Sequence, residues 1–162
     1  MIRALVLVVF GAMILGTSCP GDFCANSLSS TDFRFSLTIP SEFECTTVFP
    51  NSTVLAQGRW FDSANTRIVS VVVKAPSTDD GQTDGFTIED LGEVTNGNGI
   101  TFELKKVTLL DQSTGQGIVF NYVAAAILLD GNGLFITAAA LTDDATLQPT
   151  LDTIVQSVQW LP

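Results

Sequence analysis

Acidic residues cluster in the middle of the chain, where their spacing could bind a metal ion. They are Asp79, Asp80, Asp84 and Glu89. Carboxylate oxygens are ligands that Ca²⁺ prefers, but an EF-hand loop beginning at Asp80 would need a glutamate where this sequence has Leu91. Two interpretations stay open: a weak, non-EF calcium site with the affinity of extracellular modules, or a solvated acidic loop that caps the next helix.

Histidine is absent from the 162 residues. Its absence removes Ser-His-Asp and Cys-His nucleophiles, the usual catalytic zinc sites and the ordinary pH switch near neutrality. Carboxylate pairs can hydrolyse glycosides, yet no pair stands out, and Asp143 and Asp144 are better suited to the N-terminus of a helix. We therefore expect a non-catalytic protein that uses no cofactor.

The N-terminus has the pattern of an export signal. Arg3 precedes an apolar run, and small residues at 16–18 lead directly to Cys19. The apolar run is shorter than the roughly 20 residues that a membrane-spanning helix needs. We predict that residues 1–18 form a helical signal peptide and that the mature protein begins at Cys19.

Residues 15–19 resemble the bacterial lipobox, in which a small residue precedes a cysteine that becomes lipidated. Gly16 stands where that pattern usually has leucine, and residues 16–18 fit ordinary secretion equally well. Acylation of Cys19 would leave Cys24 and Cys45 as a pair that an oxidising compartment favours bridging. We expect the lipid on Cys19 to hold the protein on a membrane of the cell envelope. The alternative is a soluble secreted or periplasmic protein.

Composition indicates a folded, acidic domain. Of its residues, 46% are hydrophobic and 15% charged, and the formal charge of −10 becomes −11 without Arg3. An acidic chain of this kind is unsuited to bind nucleic acid or anionic lipid surfaces. We divide the chain into a signal peptide (1–18), a small polar tether (19–31) and a single domain (32–162).

Hydrophobic patterning predicts an α+β domain. Alternating or β-branched runs predict strands at residues 33–39, 57–61, 67–75, 100–111 (bulged near 105–106), 117–129 and 134–141, with the last two forming a hairpin. Helical spacing predicts a short helix at 86–94 and a C-terminal helix with Pro149 in its first turn. The stripe of that second helix is Leu147, Leu151, Ile154, Val155 and Val158. Alanines at 124–126 and 138–140 would let a second layer approach the sheet closely.

Three adjacent residues on one predicted strand have two interpretations. Arg59, Trp60 and Phe61 could line a ligand groove. They could equally be residues of the core, which is where aromatic side chains usually lie.

The chain resembles the PsbP/Mog1-like superfamily in its element order and at both ends of the domain. Residues 33–40 are similar to the family's opening strand, which ends in proline and is followed by an aromatic residue, here Phe43. Residues 151–160 are similar to its closing helix, with Ile154 and Ser157 in the usual places. The resemblance implies a single antiparallel sheet packed by a short helix and a C-terminal helix. Members include photosystem extrinsic subunits, a nuclear transport factor and exported bacterial proteins, so the resemblance implies no specific function.

These patterns lead to one expected function and one alternative. We expect a non-catalytic, membrane-tethered accessory or interaction protein of the cell envelope, whose partner is an unidentified envelope protein. The alternative is a small-ligand carrier, or a hydrolase that uses carboxylates alone, in the same compartment.

Overall fold

The computed structural model describes residues 25–46, 54–76 and 85–162. The strands of these ranges are β1 (Ser27–Ser30), β2 (Phe35–Thr38), β3 (Phe43–Thr46), β4 (Ala56–Asp62), β5 (Arg67–Lys74), β6 (Phe86–Thr95), β7 (Thr101–Leu110), β8 (Gly117–Ile127), β9 (Gly133–Ala140) and β10 (Gln159–Trp160). Their helix is α1 (Leu147–Ser157). The predicted signal peptide lies outside the described residues.

The described strands form two antiparallel sheets, so the prediction of a single sheet is wrong. Seven strands form the large sheet in the order β3-β4-β5-β9-β8-β7-β6, and three form the small sheet in the order β1-β2-β10. The helix α1 contacts β8 and β9 of the large sheet and β2 of the small sheet. We call the side of the large sheet that faces α1 the helix face, and the other side the opposite face.

The main core lies between the helix face, α1 and the small sheet. Trp60 of β4, Phe35 of β2 and Ile154 of α1 are all fully buried in it. The strand β5 shows how the large sheet divides, because Val69 and Val71 belong to this core whereas Val72 belongs to a separate cluster. Both sides of β5 are buried, which explains its nearly continuous run of apolar residues.

The predicted hairpin is confirmed as β8 and β9. Gly131 in its turn has a φ of +84°, which glycine adopts without steric cost. The Asp130 carboxylate accepts the Asn132 N–H at 3.0 Å and closes the turn. Ala124 and Ala138 are buried on the helix face, where α1 packs. Small side chains at these positions let the helix lie close to the sheet, as the sequence indicated.

The C-terminal helix is confirmed, but its predicted cap is wrong. The apolar stripe that begins at Leu147 is buried in the main core, and Pro149 lies in the first turn. The N-cap residue is Thr146, without a side-chain capping bond. The Asp144 carboxylate instead accepts the Thr146 N–H at 2.8 Å, and Asp143 pairs with Lys106 at 3.0 Å. These two carboxylates therefore hold the turn before the helix.

Residues 86–94 form strand β6, so the predicted short helix is wrong. A bulge between Asp90 and Gly92 changes the facing residues along the strand, and this mimics helical spacing. Gly92 has a φ of +85°, and its N–H donates to the Asp90 carboxylate at 2.8 Å. Pairing with β7 supplies hydrogen bonds along ten residues, which local spacing cannot reveal. The sequence predicted a bulge in β7 near residues 105–106, and this position is wrong. In the pair of β6 and β7 the bulge lies on β6, and the register between β7 and β8 shifts at residues 109–110.

Part of the predicted tether belongs to the folded domain. Residues Ser27–Ser30 pair with β2, and Leu28 is fully buried in the main core. Polar composition suggested a linker, but one apolar side chain in an alternating strand is enough to dock it. The domain therefore includes β1. The prediction of a tether that extends to residue 31 is wrong from Ser27 onwards.

Asn96 links the end of α1 to the turn between β6 and β7 through side-chain hydrogen bonds. Its buried amide donates to the carbonyl oxygens of Val155 and Val158 at 2.9 and 3.0 Å. Its side-chain oxygen accepts the N–H groups of Asn98 and Ile100, both at 3.0 Å. One side chain thus gives the Val158 carbonyl a donor, adds a second donor to the Val155 carbonyl beside the Val158 N–H, and shapes the turn as well.

Candidate functional site

Four buried polar side chains lie together on the opposite face of the large sheet. They are Gln57, Ser70, Asn121 and Thr137, and we call them the polar strip. Their exposed fractions are 5%, 1%, 1% and 1% respectively. Buried polar groups at the centre of a sheet are uncommon unless hydrogen bonds satisfy them, so the strip is the strongest candidate for a functional site.

Strand pairing brings these residues together from distant parts of the chain. Ser70 of β5 lies directly opposite Thr137 of β9. Asn121 of β8 is opposite Ala139, two residues along from Thr137, and Gln57 of β4 is opposite Val72, two residues along from Ser70. Side chains two apart share a face, and directly opposed Cβ atoms lie about 5 Å apart, so Ser70 and Thr137 are immediate neighbours. Gln57 and Asn121 lie at the two ends of the strip, with β5 and β9 between them.

Each member of the strip keeps hydrogen-bonding capacity that the described residues do not use. Within those residues, no partner binds Gln57 Nε2, Ser70 Oγ, Asn121 Oδ1 or Thr137 Oγ1. The Asn121 amide is half used, since its Nδ2 donates to the Val107 carbonyl at 3.1 Å. A buried polar group left unsatisfied costs about 1–3 kcal/mol. Four such atoms on one face leave donors and acceptors unused in the buried part of the sheet.

Arg59 adds a positive charge at one end of the strip. It lies directly opposite Ser70 on β4. Burial lowers the pKa of its guanidinium, because a charged group loses hydration when it is enclosed. The partly buried charge lies next to neutral hydroxyl and amide groups. Buried Lys74 of β5 lies on the same face, two residues along from Val72, so a second cationic side chain lies near Gln57.

Apolar side chains flank the strip on both sides. Val72, Val123 and Phe135 form one cluster, and Ile68 with Ala139 forms another against which Phe61 packs. Apart from Val54, the described members of these clusters all belong to the large sheet, and neither α1 nor the small sheet contributes to them. The opposite face therefore combines a polar centre with apolar margins, whereas the middle of the helix face is apolar apart from the Trp60 indole N–H.

The sequence located two neighbours of this site but missed its centre. The sequence left open whether Arg59, Trp60 and Phe61 line a ligand groove or belong to the core. Trp60 is fully buried in the main core. Arg59 and Phe61 lie on the opposite face, beside the strip. The available signal was a hydroxyl or amide interrupting an apolar strand, as Ser70 and Thr137 do. Only the strand pairing shows that these interruptions meet.

Described carboxylates mostly stabilise turns and ion pairs. Asp62 accepts the N–H groups of Thr66 and Arg67 at 2.7 and 3.1 Å, and its second oxygen binds the Arg67 guanidinium at 3.1 Å. Burial by itself raises the pKa of Asp62, but the hydrogen bonds from Arg67 and Thr66 outweigh it and hold that pKa below its usual value. Asp111 and Asp130 close turns in the same way.

One of the four residues of the predicted calcium site lies within the described ranges. Asp79, Asp80 and Asp84 lie outside the described residues, and Glu89 is an exposed residue of β6. Within the described ranges, no group of three acidic or cysteine side chains is arranged to hold a metal ion. The calcium site stays a prediction.

The cysteine predictions also concern residues outside the described ranges. Cys19 and Cys24 lie before residue 25. Cys45 lies on β3, opposite Trp60 in register, and packs against the main core. The lipid on Cys19 and the bridge between Cys24 and Cys45 stay predictions. In the part of the chain that the structure describes, no helix has the length and apolar character needed to cross a membrane.

Solved structures of other proteins share this architecture. A cyanobacterial PsbP (CyanoP) from Synechocystis sp. PCC 6803 matches with a TM-score of 0.59 and 14% identity, over 89% of this chain and 98% of that one. The Ran-binding protein Mog1p of Saccharomyces cerevisiae matches with a TM-score of 0.54 and 15% identity, over 85% of this chain and 96% of that one. No family model and no curated protein sequence matches the chain.

These similarities define the class of fold. The chain has the PsbP/Mog1-like fold, with an antiparallel sheet and a C-terminal helix, as its two ends suggested. Identities of 14% and 15% carry no functional residue across.

Proposed function

We propose that the protein is a non-catalytic binding module of the cell envelope, held on a membrane through lipid on Cys19. The polar strip is the observation that carries the binding role. Its four side chains combine burial with unused hydrogen-bonding capacity, which a bound partner or ligand would satisfy. The small-ligand carrier that the sequence left as an alternative is favoured by the same strip.

The titratable groups favour binding over catalysis. A general acid near neutral pH needs a carboxyl of raised pKa close to the reacting bond. Burial raises the pKa of Asp152, but that residue lies on α1, which packs on the helix face. The carboxylate nearest to an arginine, Asp62, has its pKa lowered instead. Neither group is suited to act on a molecule bound at the polar strip.

The solved structures with this fold provide an analogy for binding. One of them is described as a Ran-binding protein, and another as a cyanobacterial PsbP. A fold that supports protein binding in one distant case makes a binding role plausible for this chain as well. The analogy extends to the kind of role and not to the partner.

Chain length limits how far a lipid on Cys19 would let the domain move from the membrane. Asn26 lies at one end of the large sheet, where its amide donates to the carbonyl oxygens of Pro40 and Phe43 at 3.1 and 2.9 Å. Seven peptide steps from Cys19 to Asn26 span at most about 25 Å. The sheet end that contains Phe43 and the exposed Leu141 would therefore lie near the bilayer surface.

Mass spectrometry of the N-terminal peptide from native membranes tests the anchor. We expect a diacylated Cys19 as the first residue, and we expect a Cys19→Ser variant to leave the membrane fraction. A digest without reducing agent should also contain the peptide that joins Cys24 to Cys45. An unmodified Cys19, or a bridge between Cys19 and Cys24, would contradict the lipoprotein assignment.

Affinity capture from the native membrane tests the accessory role. The tagged wild-type protein should retain an envelope protein that the Cys19→Ser variant, present at equal abundance, does not retain. Equal recovery with both variants would show that the anchor does not position the domain for its partner.

A further inference from the structure

We infer that the outer edge of β6 binds an extended, basic segment of a partner protein, which joins the large sheet as an additional strand. The site is the regular part of β6 before its bulge, residues 86–90, and we call it the β6 edge. The inference rests on the proposed interaction role and names the site and the chemistry of its partner. It depends neither on the anchor nor on the polar strip.

The backbone of the β6 edge has donors and acceptors that β7 does not use. Among the described strands, β6 is the last of the large sheet and pairs with β7 alone. The Leu110 N–H donates to the Gly85 carbonyl at 2.9 Å, so the next pairs alternate from there, and Phe86 and Ile88 lie in non-hydrogen-bonded pairs. Their N–H and C=O groups therefore point away from β7, and no other described residue binds them.

An extended strand is the occupant that such groups select. Free N–H and C=O groups spaced along the edge of a sheet are satisfied together by a second extended backbone. β6 has ten residues, whereas β3, at the other edge of the same sheet, has four. The side chain of Ile88 is 37% exposed and adds an apolar contact beside the free groups. Length and this apolar contact make β6, rather than β3, the binding edge.

Carboxylates of the β6 edge define the charge of the incoming strand. Glu89 and Asp90 lie opposite Lys106 and Lys105 of β7. Both lysines bind carboxylates outside β6, at 3.0 and 3.4 Å respectively. Within the described residues, Glu89 and Asp90 therefore form no ion pair. Opposite charges directly across a strand pair stabilise it, so a strand with Lys or Arg at the facing positions fits this edge.

The same carboxylates disfavour a second copy of this chain as the occupant. The formal charge of the chain is −10, and pairing through β6 would bring Glu89, Asp90 and Glu93 of both copies to one seam. Bulges and charged side chains commonly protect sheet edges from pairing with identical copies. Here the bulge between Asp90 and Gly92 leaves residues 86–90 regular. The β6 edge thus repels an acidic copy and admits a short basic strand.

Titration of the purified full-length protein with synthetic peptides tests the inference. The probes are peptides of about seven residues, long enough to span the β6 edge, built from Val, Ile and Thr with two or three Lys or Arg. Fluorescence anisotropy measures binding, and NMR spectra locate it. We expect at least one peptide to bind and to shift the amide signals of residues 86–90. N-methylation of alternate peptide amides keeps the charge but removes backbone donors, so it should abolish binding.

Ile88→Pro tests the backbone of the site. It removes an N–H that points away from β7, and proline is tolerated on the outer side of an edge strand, so the variant should fold and lose peptide binding. Thr95→Pro is the matched control. The Asn96 N–H donates to the Ile100 carbonyl at 2.9 Å, which places Thr95 in a non-hydrogen-bonded pair too, but beyond the bulge. Thr95→Pro should bind the peptide as the wild type does, and thermal unfolding checks that both variants are folded.

Glu89→Lys tests the charge of the site and does not depend on the proline variants. It should weaken the peptide about tenfold, because it turns an attraction across the new strand pair into a repulsion. Glu44→Lys makes the same change at an exposed position of β3 and should leave the affinity unchanged. Equal weakening by the two variants would show general attraction to an acidic protein and would contradict a site on β6.

Failure of every peptide to bind the wild type would overturn the inference, as would equal binding of the N-methylated peptide. Sedimentation of the protein alone should show a monomer. A dimer that Ile88→Pro dissociates would assign the β6 edge to a second copy and overturn the basic partner. The lipid on Cys19 is measured separately by mass spectrometry, so a lipidated protein that binds no peptide would retain the proposed anchor and lose only this inference.

Discussion

The two faces of the large sheet are built from the same strands yet have different chemistry. On the helix face, β5 and β9 contribute Val71 and Ile136, which lie opposite each other and are fully buried. One residue earlier on β5 and one later on β9, Ser70 and Thr137 face each other on the opposite face. In this pair of strands, adjacent residues therefore alternate between the packed core on one side of the sheet and the polar strip on the other.

The difference predicts that stability and the proposed binding role depend on different faces of one sheet. The helix face buries Trp60, Phe102 and Ile154 together, and burial of apolar surface is the main stabilising contribution to folding. The opposite face keeps buried polar atoms that form no hydrogen bond within the described residues, which is unfavourable for stability. We expect substitutions on the helix face to lower stability strongly and substitutions in the strip to affect mainly binding.

Replacing neighbouring aromatic residues of β4 gives the largest expected contrast. Trp60→Ala should lower the free energy of unfolding by about 3–5 kcal/mol, because it leaves a large cavity in the main core. Phe61→Ala, on the opposite face, should cost less than half as much, since Phe61 is only partly buried. Urea denaturation measures both values. Equal losses would contradict the division between the faces.

Removing the Asn96 side chain tests the attachment of α1 to the helix face. Asn96→Ala should cost about 2–3 kcal/mol in urea denaturation, because the carbonyls of Val155 and Val158 lose a donor and the turn loses its acceptor. Asn98→Ala is the control. Its amide makes a single bond to the Val158 carbonyl, so it should cost clearly less. A larger loss for Asn98→Ala would contradict the assignment of the main attachment to Asn96.

The acid dependence of stability should depend partly on Asp62, at the end of the large sheet. Hydrogen bonds from Arg67 and Thr66 overcome the effect of burial and lower the pKa of Asp62 in the folded state. The carboxylate therefore stabilises the fold above the unfolded pKa of about 4, and this contribution disappears as pH falls through the lower folded pKa.

We expect Asp62→Asn to cost about 1–2 kcal/mol at pH 7, as it removes a charged hydrogen-bond acceptor. The cost should shrink progressively below pH 4. Unfolding curves between pH 2 and 7 measure the difference. The exposed turn residue Asp130, replaced by Asn, is the control. A cost for Asp62→Asn that stays constant over this pH range would contradict the assignment.

The smallest expected effect on stability comes from the strip itself. Thr137→Val should leave the free energy of unfolding unchanged or raise it by up to about 1 kcal/mol, because it replaces an unpaired buried hydroxyl by a group of the same shape. Chemical denaturation without added ligand measures this. A clear loss of stability would mean that the Thr137 hydroxyl has a hydrogen-bond partner in the folded protein.

Local patterning predicted most of the elements because its signals are short-range. Alternation in residues 33–39, the β-branched run after Arg67 and the stripe that begins at Leu147 each depend on side chains a few positions apart. These elements are confirmed, as is the hairpin with its Gly and Asn turn. Where pairing and not local spacing decided the outcome, prediction was wrong: residues 86–94 became β6, and Ser27–Ser30 joined the small sheet.

The candidate site depended on tertiary structure almost entirely. The sequence by itself determined that polar residues interrupt apolar strands at Ser70, Asn121 and Thr137. The order β4-β5-β9-β8 decided that these interruptions lie close together on one face, and the position of α1 decided that this face lies outside the main core. A strand's period fixes which residues share its own side, whereas pairing between residues as far apart as Arg67 and Ala140 is a long-range outcome of packing.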